Sequence, residues 1–110
     1  MAQVLDFNKV KKNYLTIILN NEEQTKLLVM TPTKKLLTEL SEMLPKDTDE
    51  MPSDEDLVAL YSLTARIMSR NKTGKHVTAA ELMDCLDFED LVVFFTAYSE
   101  FISNTANSKN

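Results

Sequence analysis

Residues 14–30 read YLTIILNNEEQTKLLVM, and this stretch decides how the fold begins. Two short apolar runs, rich in residues that favour β-structure, lie on either side of a polar turn with two asparagines. This pattern predicts a β-hairpin, because asparagine tolerates the left-handed backbone that tight turns need. Alternation along the first run places Leu15, Ile17 and Leu19 on one face. Since a two-stranded hairpin is marginal alone, we expect it to pack on helices or to pair with another chain.

The two helices predicted after the hairpin are marked by their first residues. Thr31-Pro32 predicts an N-cap and the first helical residue, because proline lacks the N–H that this position leaves unpaired. A stripe of apolar residues then continues until Pro45, where we expect the helix to end. Ser53 is followed by three acidic residues, whose carboxylates suit the positive end of a helix. This second helix should reach about Arg70.

Two further helices are predicted near the C-terminal end. Thr78 and Glu81 have the spacing of a capping box, and Asp87 caps the last helix, which should reach about Ser103. Two strands followed by helices predict an α+β fold, mainly helical, with an N-terminal β-hairpin and a cluster of about four helices. We expect a single domain over residues 1–110. Its parts are a poorly defined lead-in, the hairpin, the helical part and a flexible tail, at residues 1–12, 13–31, 32–103 and 104–110.

Composition excludes several functional classes. The chain has 110 residues, 44% of them apolar and 26% charged, as is typical of a globular domain. A net charge of -5 argues against nucleic acid as the main ligand. One glycine, one histidine and one cysteine are too few for a glycine-rich phosphate loop, a Cys/His zinc site or a disulfide framework. The opening residues lack the apolar run of a secretory signal, and no apolar segment is long enough to span a membrane. We therefore expect the protein to act in a reducing cytoplasm.

No residue pattern predicts catalysis, cofactor binding or a metal site. The acidic run that starts at Asp47 lacks the glycine and the final glutamate of a calcium loop, so a solvated linker over residues 46–52 is the simpler interpretation. His76 has no nucleophile or orienting acid near it in the sequence, and Cys85 sits in a helical pattern as a small apolar residue. We therefore expect a protein that is not an enzyme.

The last predicted helix carries more apolar residues than one small core needs. At about 100° per residue, one stripe should face the core. This stripe consists of Phe88, Leu91, Phe95, Tyr98 and Ile102. The flank beside it is a candidate partner-binding surface, because uncovered apolar area is typical of protein–protein contacts. This flank consists of Val93, Phe94, Ala97 and Phe101. A four-helix cluster around a hairpin could instead bury most of it.

Charged residues offer a second set of contacts. Lys34 and Lys35 lie in the first turn of a predicted helix, where positive charges oppose the helix dipole. They could contact an acidic partner, or they could be two hydrated surface lysines. Residues 1–44 carry a charge of +1 and residues 45–110 carry -6. An acidic inhibitor that mimics nucleic acid and occupies a basic site on a host protein is therefore the alternative function.

The segment order and the last helix resemble a known family. The likeness is carried by the hairpin, by TPTKKL at residues 31–36 and by DFEDLVVFFTAYSEFI at residues 87–102. Over roughly residues 13–103, the chain resembles the tail assembly chaperones of long-tailed bacteriophages and prophages, especially those of Gram-positive hosts.

The resemblance implies a non-enzymatic role in virion assembly. Such chaperones bind the long, apolar tape-measure protein in the host bacterial cytoplasm, keep it soluble and help recruit tail-tube subunits. They leave before assembly ends, so the chain is not expected in the mature virion. The tape-measure protein and the tail-tube protein are thus the expected partners, with no cofactor, nucleic acid or membrane. The sequence leaves open whether the chain forms a homo-oligomer, because exposed strand edges can join copies of a chain.

Overall fold

The computed structural model describes residues 4–7, 9, 11–43 and 53–107. Within them the elements follow the predicted order, a two-stranded hairpin and then helices, so the α+β, mainly helical prediction is confirmed. The strands are β1 (Leu15–Ile18) and β2 (Lys26–Val29). The helices are α1 (Lys34–Met43), α2 (Asp54–Ser69), α3 (Ala79–Cys85) and α4 (Phe88–Asn107). The predicted linker over residues 46–52 and the predicted helix end at Pro45 lie outside the described residues.

The hairpin turn is organised by one asparagine side chain. Leu15 lies opposite Val29 across the sheet. Asn21 Oδ1 accepts the backbone N–H of Thr25, and Asn21 Nδ2 donates to Thr25 Oγ1, both at 3.0 Å. The left-handed residue of the turn is Gln24, with a φ of 49°, rather than an asparagine. Asparagine therefore shapes this turn through its side-chain hydrogen bonds and not through its backbone conformation, which corrects the reason given for the prediction.

The loop after α2 covers the outer edge of β2. Met30 N–H donates to the carbonyl of Arg70, and Lys72 N–H donates to the carbonyl of Leu28, both at 2.9 Å. Between these two bonds, Asn71 forms an isolated antiparallel bridge with Val29. The loop thus pairs with β2 as a short third strand would, which joins the hairpin to the end of α2.

Asn71 holds this loop in place. The residue is 3% exposed, and its side-chain amide donates to the carbonyls of Met68 and Lys75, both at 2.8 Å. Its Oδ1 accepts the N–H of Lys75 at 2.9 Å and the hydroxyl of Thr73 at 3.0 Å. A buried amide with all its hydrogen bonds made stabilises one loop geometry, since any other geometry would leave polar atoms unpaired.

The first helix begins two residues later than predicted. Thr33 is its N-cap, because the backbone N–H of Leu36 donates to Thr33 Oγ1 at 3.3 Å. Thr31, the predicted cap, instead accepts a hydrogen bond at its carbonyl from Arg70 Nε at 3.1 Å. A residue that precedes proline is kept extended. Thr31 therefore stays in the connection from β2, and the helix starts only after Pro32.

The other three helix starts are confirmed. The Ser53 hydroxyl accepts the N–H of Asp56 at 3.2 Å, and Thr78 and Glu81 form the full capping box. Asp87 and Asp90 do the same at α4, where each carboxylate accepts the other residue's N–H, at 2.8 and 3.0 Å. These starts were predictable because each depends on residues only three apart.

The end of α4 lies beyond the predicted boundary. The helix continues to Asn107, whereas the sequence predicts an end near Ser103 and a flexible tail from residue 104. No glycine or proline occurs between Ser103 and Asn107 to stop it. Thr105 is also partly buried. Residues 104–107 therefore belong to the helix.

The core lies between the inner face of the hairpin and the helices α2 and α4. Its fully buried large side chains are Leu27, Val29, Leu63, Ile67, Met68, Leu82, Leu91 and Tyr98. Burial of one such apolar side chain contributes about 1.5–3 kcal/mol. Two tyrosine hydroxyls connect different elements around the core. Tyr98 of α4 donates to the carbonyl of Met30 at 3.3 Å, and Tyr61 of α2 donates to the carbonyl of Leu86 at 2.5 Å. On the face that the alternation predicts for Leu15, Ile17 and Leu19, Leu19 is buried and the other two are partly buried.

Candidate partner-binding site

The buried face of α4 differs from the predicted one. Leu91, Phe94, Phe95 and Tyr98 are each at most 7% exposed. On a helical wheel their mean direction is rotated by roughly 30° from the mean of the predicted stripe, at 100° per residue. Phe94, predicted to lie on the partner-binding flank, is therefore a core residue. The same rotation leaves Phe88, predicted to face the core, only half-buried.

An aromatic cluster lies on the buried face of α4. Phe94 stacks on Tyr98 with ring centroids 5.4 Å apart and packs edge-on against Phe95 at 5.3 Å. Tyr98 is fully buried and bonds to the carbonyl of Met30. That bond joins α4 to the end of β2, on the side where Phe94 is buried.

An open cavity lies on the opposite side of α4, and we call it the α2–α4 groove. Its volume is about 440 Å³ and it is open to solvent. The residues that line it are Leu60, Phe88, Leu91, Val92, Phe95, Thr96, Ser99 and Glu100. Five of these eight side chains are apolar, and Val92 is 49% exposed. The groove is thus an accessible apolar surface between two helices.

A second groove separates α4 from the first strand, and we call it the β1–α4 groove. Its volume is about 300 Å³. Three of the predicted partner-binding residues line it, namely Val93, Phe94 and Ala97. Val93 is 67% exposed and Ala97 is half-buried, whereas Phe94 forms part of the buried wall. The apolar edge continues onto the strand, where Ile18 is 64% exposed.

The remaining predicted partner residues lie elsewhere. Phe101 is half-buried, 6.2 Å from Tyr98 between ring centroids, and lines an open depression of about 320 Å³ with Asn13 and Tyr14. Lys34 and Lys35 are exposed in the first turn of α1 and line neither groove. The six predicted residues are therefore not brought together into one surface.

Sequence reasoning missed Val92, Leu60 and the open position of Phe88. Val92 lies only about 40° from Phe88 on the helical wheel, so the pattern placed it beside the predicted core stripe. Leu60 belongs to α2, and no periodicity within one helix shows which other helix it will face. The available signal was the excess of apolar residues on both sides of α4, and the pattern was assigned to one side only.

The charged residues that line the two grooves are acidic. Burial raises the pKa values of two neutral groups, the Cys85 thiol and the Tyr98 phenol. Glu100 lines the α2–α4 groove and Asp90 lines the β1–α4 groove. Burial raises the pKa of the Cys85 thiol, and the nearby carboxylate of Asp84 raises it further, which disfavours the reactive thiolate. Burial likewise raises the pKa of Tyr98 to about 12, although the charge of Arg70 opposes the shift.

Other chemistry has little support in the described residues. His76 is exposed. Across residues 4–7, 9, 11–43 and 53–107, no three His, Cys, Asp or Glu side chains are grouped so that they could hold a metal ion. None of the helices in the described part of the chain is long and apolar enough to cross a lipid bilayer. Comparison of the chain with protein-family models, with curated proteins and with solved structures finds no match.

Proposed function

We propose that this chain is a phage tail assembly chaperone that binds apolar helical segments of the tape-measure protein in the α2–α4 groove. The observation that supports this is an open apolar cavity of about 440 Å³ between two helices. Grooves of this kind take up the apolar face of an amphipathic helix, whose side chains enter at one-turn spacing. The family, and hence the client, comes from the resemblance of the sequence.

The walls of the α2–α4 groove suit a client of this kind. Leu60 and Phe95 are buried and form the floor, and Val92 is exposed at the rim. A floor that is already packed changes little on binding, so less free energy is spent on ordering it. Apolar contact supplies the attraction, and it depends on area rather than on a particular client sequence. This suits a client that is long and varied.

The negative charge suits the second part of the role. A net charge of -5 keeps a chaperone–client complex dispersed, because like-charged complexes repel one another. Glu100 lines the α2–α4 groove and Asp90 lines the β1–α4 groove, so negative charge lies beside both apolar surfaces. In this proposal the chain acts in the host bacterial cytoplasm, helps recruit tail-tube subunits and leaves before the virion is complete.

Co-expression with the tape-measure protein tests the proposal. The soluble fraction of the tape-measure protein should rise several-fold with the native chain. Val92→Glu places a charge at the rim of the α2–α4 groove and should remove most of this gain, because a charge loses hydration when a client covers it. Val92 is half-exposed, so the variant itself should stay folded.

Two control variants make the test specific. Ser103→Glu adds the same charge to an exposed position of the same helix outside both grooves and should keep the full gain. Val93→Glu adds it at the β1–α4 groove. A loss of solubility with Val93→Glu alone would contradict the α2–α4 assignment. Client binding that weakens strongly with added salt and is unaffected by Val92→Glu would favour the acidic mimic instead.

A further inference from the structure

The outer edge of β1 is free in the described part of the chain. Leu19 N–H donates to the carbonyl of Thr25 at 2.8 Å, so residues 19 and 25 form a hydrogen-bonded pair. Pairs alternate along an antiparallel ladder, so residues 15 and 17 also direct their backbone groups at β2. Thr16 and Ile18 therefore direct their N–H and C=O groups outward. No segment among the described residues donates to or accepts from them across this edge.

The two edges of the hairpin differ in their protection. The edge of β2 is covered by residues 70–72, through the bonds to Met30 and Leu28. The edge of β1 has the sequence LTII, without the charge, the proline or the bulge that proteins use to prevent edge pairing. Ile18 is 64% exposed, and Leu15 and Ile17 are only half-buried, because no third strand covers them. This edge is thus a template for another strand.

We propose that the β1 edge binds the β1 edge of a second copy of this chain, in antiparallel orientation, to form a four-stranded sheet across the dimer. The two-fold axis passes beside Ile17, so that Thr16 of one copy lies opposite Ile18 of the other and their outward backbone groups pair. A two-fold contact uses the same patch on both copies. This inference goes beyond the proposed function and does not depend on it.

Charge complementarity favours a second copy over an unrelated strand. With the axis beside Ile17, the residues that precede β1 run alongside the hairpin turn of the other copy. They include Lys11 and Lys12, and the turn includes Glu22 and Glu23, all four of them exposed. An antiparallel contact sets the start of β1 in one copy beside the end of β1 in the other, where the turn begins. The two-fold symmetry repeats this arrangement, so the lysines of one copy come near the glutamates of the other at each end of the shared sheet.

The apolar contact beneath the sheet continues the same patch. Leu15 and Ile17 of the second copy would enter the β1–α4 groove, where Val93 is exposed and Ala97 is small enough for close approach. The α2–α4 groove lies on the other side of α4 and stays open in both copies. The dimer therefore has two client grooves.

Sedimentation velocity over a range of concentrations tests this. The native chain should sediment as a dimer of two 12.5 kDa copies. Thr16→Pro removes an outward N–H that β2 does not use, and it should give a monomer. Because proline could also unfold the strand, charge reversal gives a second test. Glu22→Lys with Glu23→Lys should weaken the dimer about tenfold, and so should Lys11→Glu with Lys12→Glu, because like charges then meet. All four changes together should restore it.

Lys34→Glu with Lys35→Glu is the matched control, since it reverses two exposed lysines of α1, outside the hairpin, and should leave the dimer unchanged. A native chain that stays monomeric at about 100 μM, well above the concentrations at which specific dimers form, would overturn the proposal. A dimer that both single-side reversals leave unchanged would also overturn it. So would a dimer that the combined four changes fail to restore. A native chain that forms the dimer but does not raise the solubility of the tape-measure protein would count against the proposed function only.

Discussion

The two sides of α4 are made from the same kinds of residue and differ in burial. The side toward the hairpin, with Phe94 and Tyr98, is closed by aromatic packing and by a hydrogen bond to β2. The side toward α2, with Phe88 and Val92, lines an open apolar groove. Hydrophobicity alone does not show which apolar side of a helix is buried. The contacts made by Phe94 and by the hydroxyl of Tyr98 accompany burial on the hairpin side.

The largest difference in stability should appear between alanine substitutions at two neighbouring residues of α4, one buried and one exposed. Phe94→Ala should destabilise the fold by about 3 kcal/mol, because it removes a buried ring and leaves a cavity beside Tyr98. Val93→Ala should change the stability by less than about 0.5 kcal/mol, because Val93 is 67% exposed. Urea unfolding followed by circular dichroism measures both. Equal costs would show that Phe94 is not part of the core.

The next largest effect on stability concerns the N-terminal cap of α4. Asp87→Ala removes the carboxylate that accepts the N–H of Asp90 and should cost about 1 kcal/mol. Ser103→Ala, at an exposed position of the same helix, is the control and should cost almost nothing. Hydrogen exchange should speed up at the first turn, next to Phe88, and remain slow at Tyr98. Uniform acceleration along α4 would mean that the cap does not act locally.

The buried hydroxyl of Tyr98 gives a pH-dependent contribution to the stability of the fold. Tyr98→Phe should cost about 1 kcal/mol near neutral pH through the lost bond to the Met30 carbonyl. Burial raises the pKa of Tyr98 from 10.0 to about 12, so the folded state keeps the phenol proton after the unfolded state has lost it. The stability that this proton preference gives is therefore complete below pH 10 and is lost as the pH rises toward 12.

Urea midpoints of the native chain and of Tyr98→Phe, measured from about pH 9 to about pH 11, check this sign. The native chain should lose stability faster than the variant, so the gap between them should narrow. A gap that stays constant would mean that the phenol is not shielded from water.

The smallest expected effect on stability is on the open side. Val92→Ser should change the free energy of unfolding by no more than about 0.5 kcal/mol, because the side chain is half-exposed. Leu63→Ser, at a fully buried position of α2, should cost several times more. Thermal unfolding of the two variants compares them. A large loss at Val92 would place that residue in the core and close the proposed groove.

Local signals explain what the sequence could predict. Ser53, Thr78 and Asp87 cap their helices through residues three positions away, and the hairpin follows from two apolar runs around one turn. Thr33 was missed because two threonines flank Pro32 and the pattern accommodates either as the cap.

Long-range contacts explain what it could not. Asn71 closes the edge of β2 from 42 positions away along the chain, and nothing in the neighbourhood of either residue signals this pairing. The buried face of α4 includes a tyrosine whose hydroxyl donates to the carbonyl of Met30, 68 positions away. A shift of the buried face by roughly 30° on the helical wheel is enough to place Phe94 in the core.

The most direct measurement maps a bound client segment onto the protein by NMR. A peptide with one apolar helical segment of the tape-measure protein would be titrated into the labelled chain, and amide shifts would be followed. The account predicts the largest shifts around Leu60, Val92 and Thr96, with little change around Phe94. Shifts centred on β1 and Val93, or on the acidic starts of α2 and α4 with no change at Val92, would contradict it.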